Sequence, residues 1–243
     1  MIKKFIYFGI ILFFSITFFS CKKLKKPDAL TERENWIASF SDSINFYKNE
    51  INNLEEKLSS DNNFIGGLLG NFEYISNPRQ VTGYYILKGW NSRIPLKQTG
   101  IYARINDNEN IELIATLSGG NFNQISVSNG SEEVKSNIVP HDQALNYRQN
   151  NLNTVCFYGN AADSIAEFIA LNITDKLTIS FWDAGKKKQA VIPDDEKNMI
   201  ASTWELNSYK LETKELQKKL WIYSKKIDAY RRMMEKQDTL SSK

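Results

Sequence analysis

At 243 residues the chain can hold one or two domains with a core of ordinary size, and 42% hydrophobic with 24% charged residues excludes a disordered polymer. Its formal charge of +3, two units of which are Lys3 and Lys4, excludes the strongly basic balance of a nucleic-acid-binding chain. Two cysteines, one of them Cys21 at the end of an apolar leader, leave Cys156 without a partner for an intrachain disulfide.

The leader comes first in the chain. Lys3 and Lys4 form a short basic region, and Phe5 to Phe19 is an uncharged, largely apolar run, short for a membrane span but of the right length for the centre of a secretory signal. Ser20 places a small residue directly before Cys21. Phe18-Phe19-Ser20-Cys21 resembles the lipobox of a bacterial lipoprotein, with Phe18 where leucine is usual, a relaxation seen among Bacteroidota lipoproteins. The resemblance implies a signal peptide over 1–20, cleavage before Cys21, lipid on its sulfur and a membrane anchor; the other reading is an uncleaved signal anchor. Two or three acyl chains would hold the protein at a membrane almost permanently, at ~0.8 kcal/mol per buried methylene. Lys22, Lys23, Lys25 and Lys26 then form a basic tether over 21–30, suited to anionic head groups. No acidic run follows the cysteine, which favours a chain facing the periplasm within the cell envelope.

After the tether, Thr31 with Glu34 forms a capping box and predicts a helix start. Ile37, Phe40, Ile44, Tyr47, Ile51, Leu54 and Leu58 alternate three and four apart, a heptad seam that ends at the polar run Ser59 to Asn63. Gly66, Gly67 and Gly70 read as a flexible hinge. From about Phe72 to Ile192 the period becomes two. Ile101, Ala103 and Ile105 alternate with Tyr102 and Arg104, and Ile111, Leu113, Ala115 and Leu117 share a face opposite Glu112 and Thr116. Further strands are expected at Val81 to Gly89, Ile125 to Val127, Thr154 to Tyr158, Leu177 to Trp182 and Gln189 to Ile192. Asn129-Gly130 predicts a two-residue hairpin turn, and Asp183-Ala184-Gly185 a second turn. One helix interrupts the strands, capped by Asn160, with Ile165, Phe168 and Ile169 on one face.

Pro193 and the acids Asp194, Asp195 and Glu196 begin the last helix, where a first turn favours them. Its seam runs through Leu206, Tyr209, Thr213, Leu216, Leu220, Tyr223, Ile227, Tyr230 and Met234. The two matched seams predict an α+β chain: an antiparallel coiled-coil stalk of two long helices, 31–60 and 194–239, bracketing an all-β, sandwich-like domain over 64–192 with one short helix. In this register Ile44 would face Tyr223.

Candidate sites are few. His141, the only histidine, and Cys156 match no thiol-enzyme spacing, and a thiol needs a base and an orienting group in reach. One histidine and one spare thiol are too few soft ligands for a metal, and no cofactor motif is present. Trp221 and Ile222 flank the last seam and mark a possible partner surface. Asp42-Ser43-Ile44, Asp163-Ser164-Ile165 and Asp238-Thr239-Leu240 resemble the O-glycosylation triplet of exported Bacteroidota proteins, which would put sugars on Ser43, Ser164 and Thr239. The expected function is therefore that of a non-enzymatic envelope lipoprotein. It would be held to the membrane through Cys21 and bind an envelope component or incoming protein through its β domain. The alternative is a structural adaptor that forms homo-oligomers through its stalk. An enzyme acting on envelope polymers is a third reading, with no acid/base pair visible.

Overall fold

The computed structural model describes residues 29–76 and 82–241. The signal peptide, Cys21 and all but the last two residues of the tether lie outside them. Among the described residues, α1 (Ala29–Leu69) leads into β1 (Phe72–Ser76), β2 (Gly83–Leu87), β3 (Gly100–Asn106), β4 (Ile111–Ser118), β5 (Gln124–Ser128), β6 (Glu133–Lys135), β7 (Asn146–Gln149) and β8 (Leu152–Tyr158). α2 (Asn160–Leu171), β9 (Thr178–Asp183), β10 (Lys186–Val191) and α3 (Asp194–Ser241) complete the chain. All strand pairs are antiparallel. One sheet has six strands in the order β1-β2-β3-β4-β8-β7, and the other has four in the order β10-β9-β5-β6.

The core follows from the alternation. On the inner face of the six-stranded sheet Ile101, Ala103, Leu113, Ala115, Val155 and Phe157 are fully buried. They join Ile125, Val127, Ile179 and Phe181 of the four-stranded sheet and Ala162, Ile165 and Ile169 of α2 in one apolar cluster. Phe122 ties the sheets together, its ring centroid 5.0 Å from that of Phe181 and 6.5 Å from that of Phe157.

The expected fold class is corrected by this architecture. Among the described residues the chain is α+β with ten strands in two antiparallel sheets and three α-helices, not a two-helix stalk bracketing a separate β domain. The decisive element is α3, 48 residues long, whose first half is built into the β part. Met199, Ile200 and Leu206 are fully buried there, and Glu196, Lys197, Thr203 and Asn207 are buried beside them. A heptad seam says which residues turn inward, and not whether a helix or a sheet receives them.

The receiving surface is a split in the six-stranded sheet. β2 pairs with β3 only at Tyr84↔Asn106 and Tyr85↔Ile105, so the rest of that β3 edge lacks a strand partner. α3 supplies side chains instead. The Ile101 N–H donates to Glu196 Oε2 at 3.0 Å and the Ala103 N–H to Met199 Sδ at 3.3 Å, and buried backbone donors are thereby satisfied. Gly100 gives the carboxylate room, since an added Cβ would lie 2.5 Å from Glu196 Oε1. Burial pushes the Glu196 carboxyl up to about 7, against the pull of the Ile101 hydrogen bond. Beyond the sheet α3 lies antiparallel against α1. Phe40 meets Tyr230 at 5.2 Å, Tyr47 meets Tyr223 at 5.2 Å, and Phe64 meets Tyr209 at 4.5 Å. Tyr47, not Ile44, therefore faces Tyr223.

Local signals also resolve differently from expectation. α1 begins at Ala29, so Thr31 lies inside its first turn, and it continues through Ser59 to Asn63 as far as Leu69. Ile65, Leu68 and Leu69 keep the helical period and pack around Phe72, Ile105 and Leu206, and that packing outweighs the weak helix propensity of the polar run. Gly66 and Gly67 are consequently helical. α2 has no side-chain cap: Gly159, at φ 72°, precedes Asn160, the first helical residue. The connection at Asn129-Gly130 is a four-residue loop between Ser128 and Glu133, organised by Asn129 Oδ1, which accepts the N–H groups of Ser131 at 3.0 Å and Glu132 at 2.9 Å. Two-residue hairpin turns, with positive φ at both central residues, occur instead at Ala184-Gly185 (45° and 80°) and Asn150-Asn151 (48° and 64°).

Candidate functional site

The outer face of the six-stranded sheet is built by the residues that alternate with the core. Register places Arg104 opposite Glu112 and Glu112 opposite Tyr158, while Tyr84 pairs with Asn106 one step along. A row of Tyr84, Arg104, Glu112 and Tyr158 thus crosses β2, β3, β4 and β8. At this end the face opens into a cleft of about 500 Å³, lined by Thr82, Tyr84, Arg104, Asn106, Asp107 and Glu112 among others.

The polar groups in the cleft hold one another in place. Arg104 Nε donates to Glu112 Oε2 at 2.5 Å, and Asn106 Nδ2 donates to Glu112 Oε1 at 3.0 Å. The guanidinium carbon of Arg104 stands 4.3 Å from the centroid of the Tyr84 ring. Burial works against the arginine's charge, but Glu112 more than offsets it and holds the guanidinium above its ordinary pKa. Asp107 is consumed by the fold: Gly83 N–H donates to its Oδ2 at 2.5 Å and Tyr74 O–H to its Oδ1 at 2.9 Å. Asn106 Oδ1 accepts the N–H groups of Asn108 and Asn110, which fixes the β3–β4 turn. Tyr158 stands free of these bonds with 52% of its surface exposed.

Farther along the same face the surface closes. Tyr102, Ile114 and Thr116 are buried, and Tyr102 faces Ile114, which faces Cys156. Burial pushes the Cys156 thiol up to about 12, so it is a protonated, partly buried group at neutral pH. His141 lies elsewhere, exposed on the loop before β7, in a smaller cleft with Asn121, Asn146, Arg148, Asn153 and Asp183. The asparagines there are structural. Asn146 Nδ2 donates to the Phe122 and Val139 carbonyls, and Asn153 Oδ1 accepts the Phe122 N–H at 2.7 Å.

The remaining sequence candidates are dispersed. Trp221 and Ile222 are both exposed on α3, about 100° apart around the helix and so within the width of one helix face. Leu211 and Met233, also exposed, lie eleven residues before and after Ile222, each about 16 Å away along the helix. Ser43 donates its hydroxyl to the Ser39 carbonyl on α1, Ser164 is exposed on α2, and Thr239 belongs to α3 in a stretch whose side chains lie outside the described ones. The acids at the start of α3 serve the fold through Glu196 and through Asp194, which pairs with Lys197 at 2.9 Å. On the four-stranded sheet Trp182 is capped by Lys135 and Lys187, whose ammonium groups lie 5.1 and 5.0 Å from its ring centroid.

Sequence reasoning named Arg104 and Glu112 only as residues facing away from a core. The alternation put each on an outer face, but only the pairing of β4 with β8, far apart in the chain, lines them up with Tyr158. No protein-family model, curated protein or solved structure matches the chain. Among the described residues no helix is long and apolar enough to cross a membrane.

Proposed function

We propose that this chain is a lipid-anchored cell-envelope protein, facing the periplasm, that binds an envelope component without chemical turnover. The observation that carries the binding half of this reading is the Tyr84–Arg104–Glu112–Tyr158 row, whose charged groups are held by one another and which no other element covers among the described residues. Such pre-positioned groups suit recognition, because little ordering is left to be done when a ligand arrives. Support for the anchoring half is the Ser20-Cys21 junction after an apolar run.

The two halves are tested separately. Cys21→Ser abolishes labelling by a fatty-acid probe and releases the protein from membranes on fractionation; unchanged labelling contradicts the anchor. A tagged full-length chain recovered from envelope membranes retains its bound component, and Tyr158→Ala together with Glu112→Gln loses it. Equal recovery by the double variant removes this face from the function.

A second reading has its own observation. Leu211, Trp221, Ile222 and Met233 are exposed apolar residues along α3, which suits assembly of several copies into an adaptor. Solution mass at micromolar concentration decides: a stable higher oligomer broken by Ile222→Asp favours assembly, and a monomer favours binding.

A further inference from the structure

We propose that the open end of the six-stranded sheet's outer face binds a neutral oligosaccharide of roughly two or three linked rings; this rests on the reading of that face as the recognition surface.

Charge is the first argument. Arg104 and Glu112 neutralise each other at 2.5 Å, and both oxygens of Asp107 already accept hydrogen bonds from Gly83 and Tyr74. An anionic ligand would compete with Glu112 for the guanidinium, and a cationic one with Arg104 for the carboxylate. A neutral polyhydroxyl ligand avoids both costs. It can accept from the remaining guanidinium N–H groups and donate to the spare lone pairs of Glu112, as adjacent sugar hydroxyls do.

Shape is the second argument. Tyr158 stands exposed at one end of the row, and its ring offers a flat apolar surface to the C–H face of a pyranose while its hydroxyl stays available for hydrogen bonds; at the other end Tyr84 lines the cleft with its ring covered by the Arg104 guanidinium. Three inter-strand steps separate β2 from β8, a span of ~14 Å, which matches a short linear oligosaccharide lying across the strands. A protein partner asks for a different surface, about 800 Å² with an apolar centre. Here the centre of the row is the ion pair, and Tyr158 is its one exposed aromatic side chain among the described residues.

The test uses the full-length chain in lipid nanodiscs, which avoids sugar-based detergents. It is titrated by calorimetry and saturation-transfer NMR with cellotriose, chitotriose, mannotriose and maltotriose, and with the acidic trigalacturonate. At least one neutral trisaccharide binds at millimolar or lower concentration, trigalacturonate binds more weakly, and Tyr158→Ala and Glu112→Gln each weaken binding roughly tenfold. Tyr158 is exposed and its truncation leaves the fold intact, and Leu171→Ala, on α2, leaves affinity unchanged. Tighter binding of trigalacturonate, binding indifferent to both variants, or no binding by any neutral probe overturns the proposal. In the last case, cross-linking of a protein from position 158 in cells would preserve the recognition surface and reject only the sugar; no cross-link at all would reject both.

Discussion

The two faces of the six-stranded sheet are made by the same strands and meet opposite fates. Ile101, Ala103, Leu113 and Phe157 turn inward beneath α2, α3 and the second sheet and are fully buried, while Arg104, Glu112 and Tyr158, their immediate neighbours in the chain, remain at the surface. Apolar burial without strand-to-strand charge stabilises the first face. The second face spends its hydrogen bonds on orienting charged groups. Since alternate residues along a strand point to opposite sides, stability and recognition can be altered almost independently in this protein.

Three substitutions test that separation, beginning with the largest effect. Phe157→Ala, on the inner face, leaves a cavity between the sheets and is expected to destabilise the protein by about 3–5 kcal/mol in urea unfolding. A cost below about 1 kcal/mol would mean that the inner face is not the core. Glu196→Gln probes the edge between the faces. The buried carboxyl titrates at about 7, above its unfolded value, so its protonated form is the one the fold favours. Its contribution is fully present below the unfolded pKa and is lost as pH rises through 7. Glutamine retains an acceptor for the Ile101 N–H and removes the buried charge. The variant is therefore expected to exceed the parent by about 2 kcal/mol at pH 8 and to lose that advantage by pH 4. A gain of the same size at both pH values would show that burial of the charge is not the cause. Tyr158→Ala, on the outer face, should change stability by no more than about 0.5 kcal/mol. A larger loss would make that ring part of the core.

Much of the inner face was legible because its alternation is strict: the runs at Ile101 to Ile105 and Ile111 to Leu117 fall within β3 and β4. Four things were not. The seam that begins at Leu206 predicts a second helix as its partner, whereas Leu206 packs with Phe72 and Ile105, and Met199 and Ile200, ahead of the seam, enter the β core, since a side-chain period carries no label for its partner. Asn129-Gly130 reads as a tight hairpin, but the Asn129 side chain gathers the backbone into a longer loop, while Asn150-Asn151 makes the tight turn without any glycine. β7 escaped notice because Asn146 to Gln149 is polar apart from its tyrosine, although Asn146 is buried and bonded to the Phe122 and Val139 carbonyls. The outer-face row was the least visible. It depends on the register of strands separated by a loop, two further strands and a hairpin, and on a split between β2 and β3 that only α3 explains.

Recognition by the outer face is tested most directly by photo-cross-linking in intact cells, with a photoreactive amino acid placed in turn at Tyr158, at Leu171 on α2 and at Ile222 on α3. All three side chains are exposed, so accessibility alone does not separate them. The expected result is a discrete adduct from position 158, suppressed when Glu112 is changed to glutamine, with none from positions 171 and 222. An adduct confined to position 222 and of the mass of two copies of the chain would contradict it, and would make α3 the working surface.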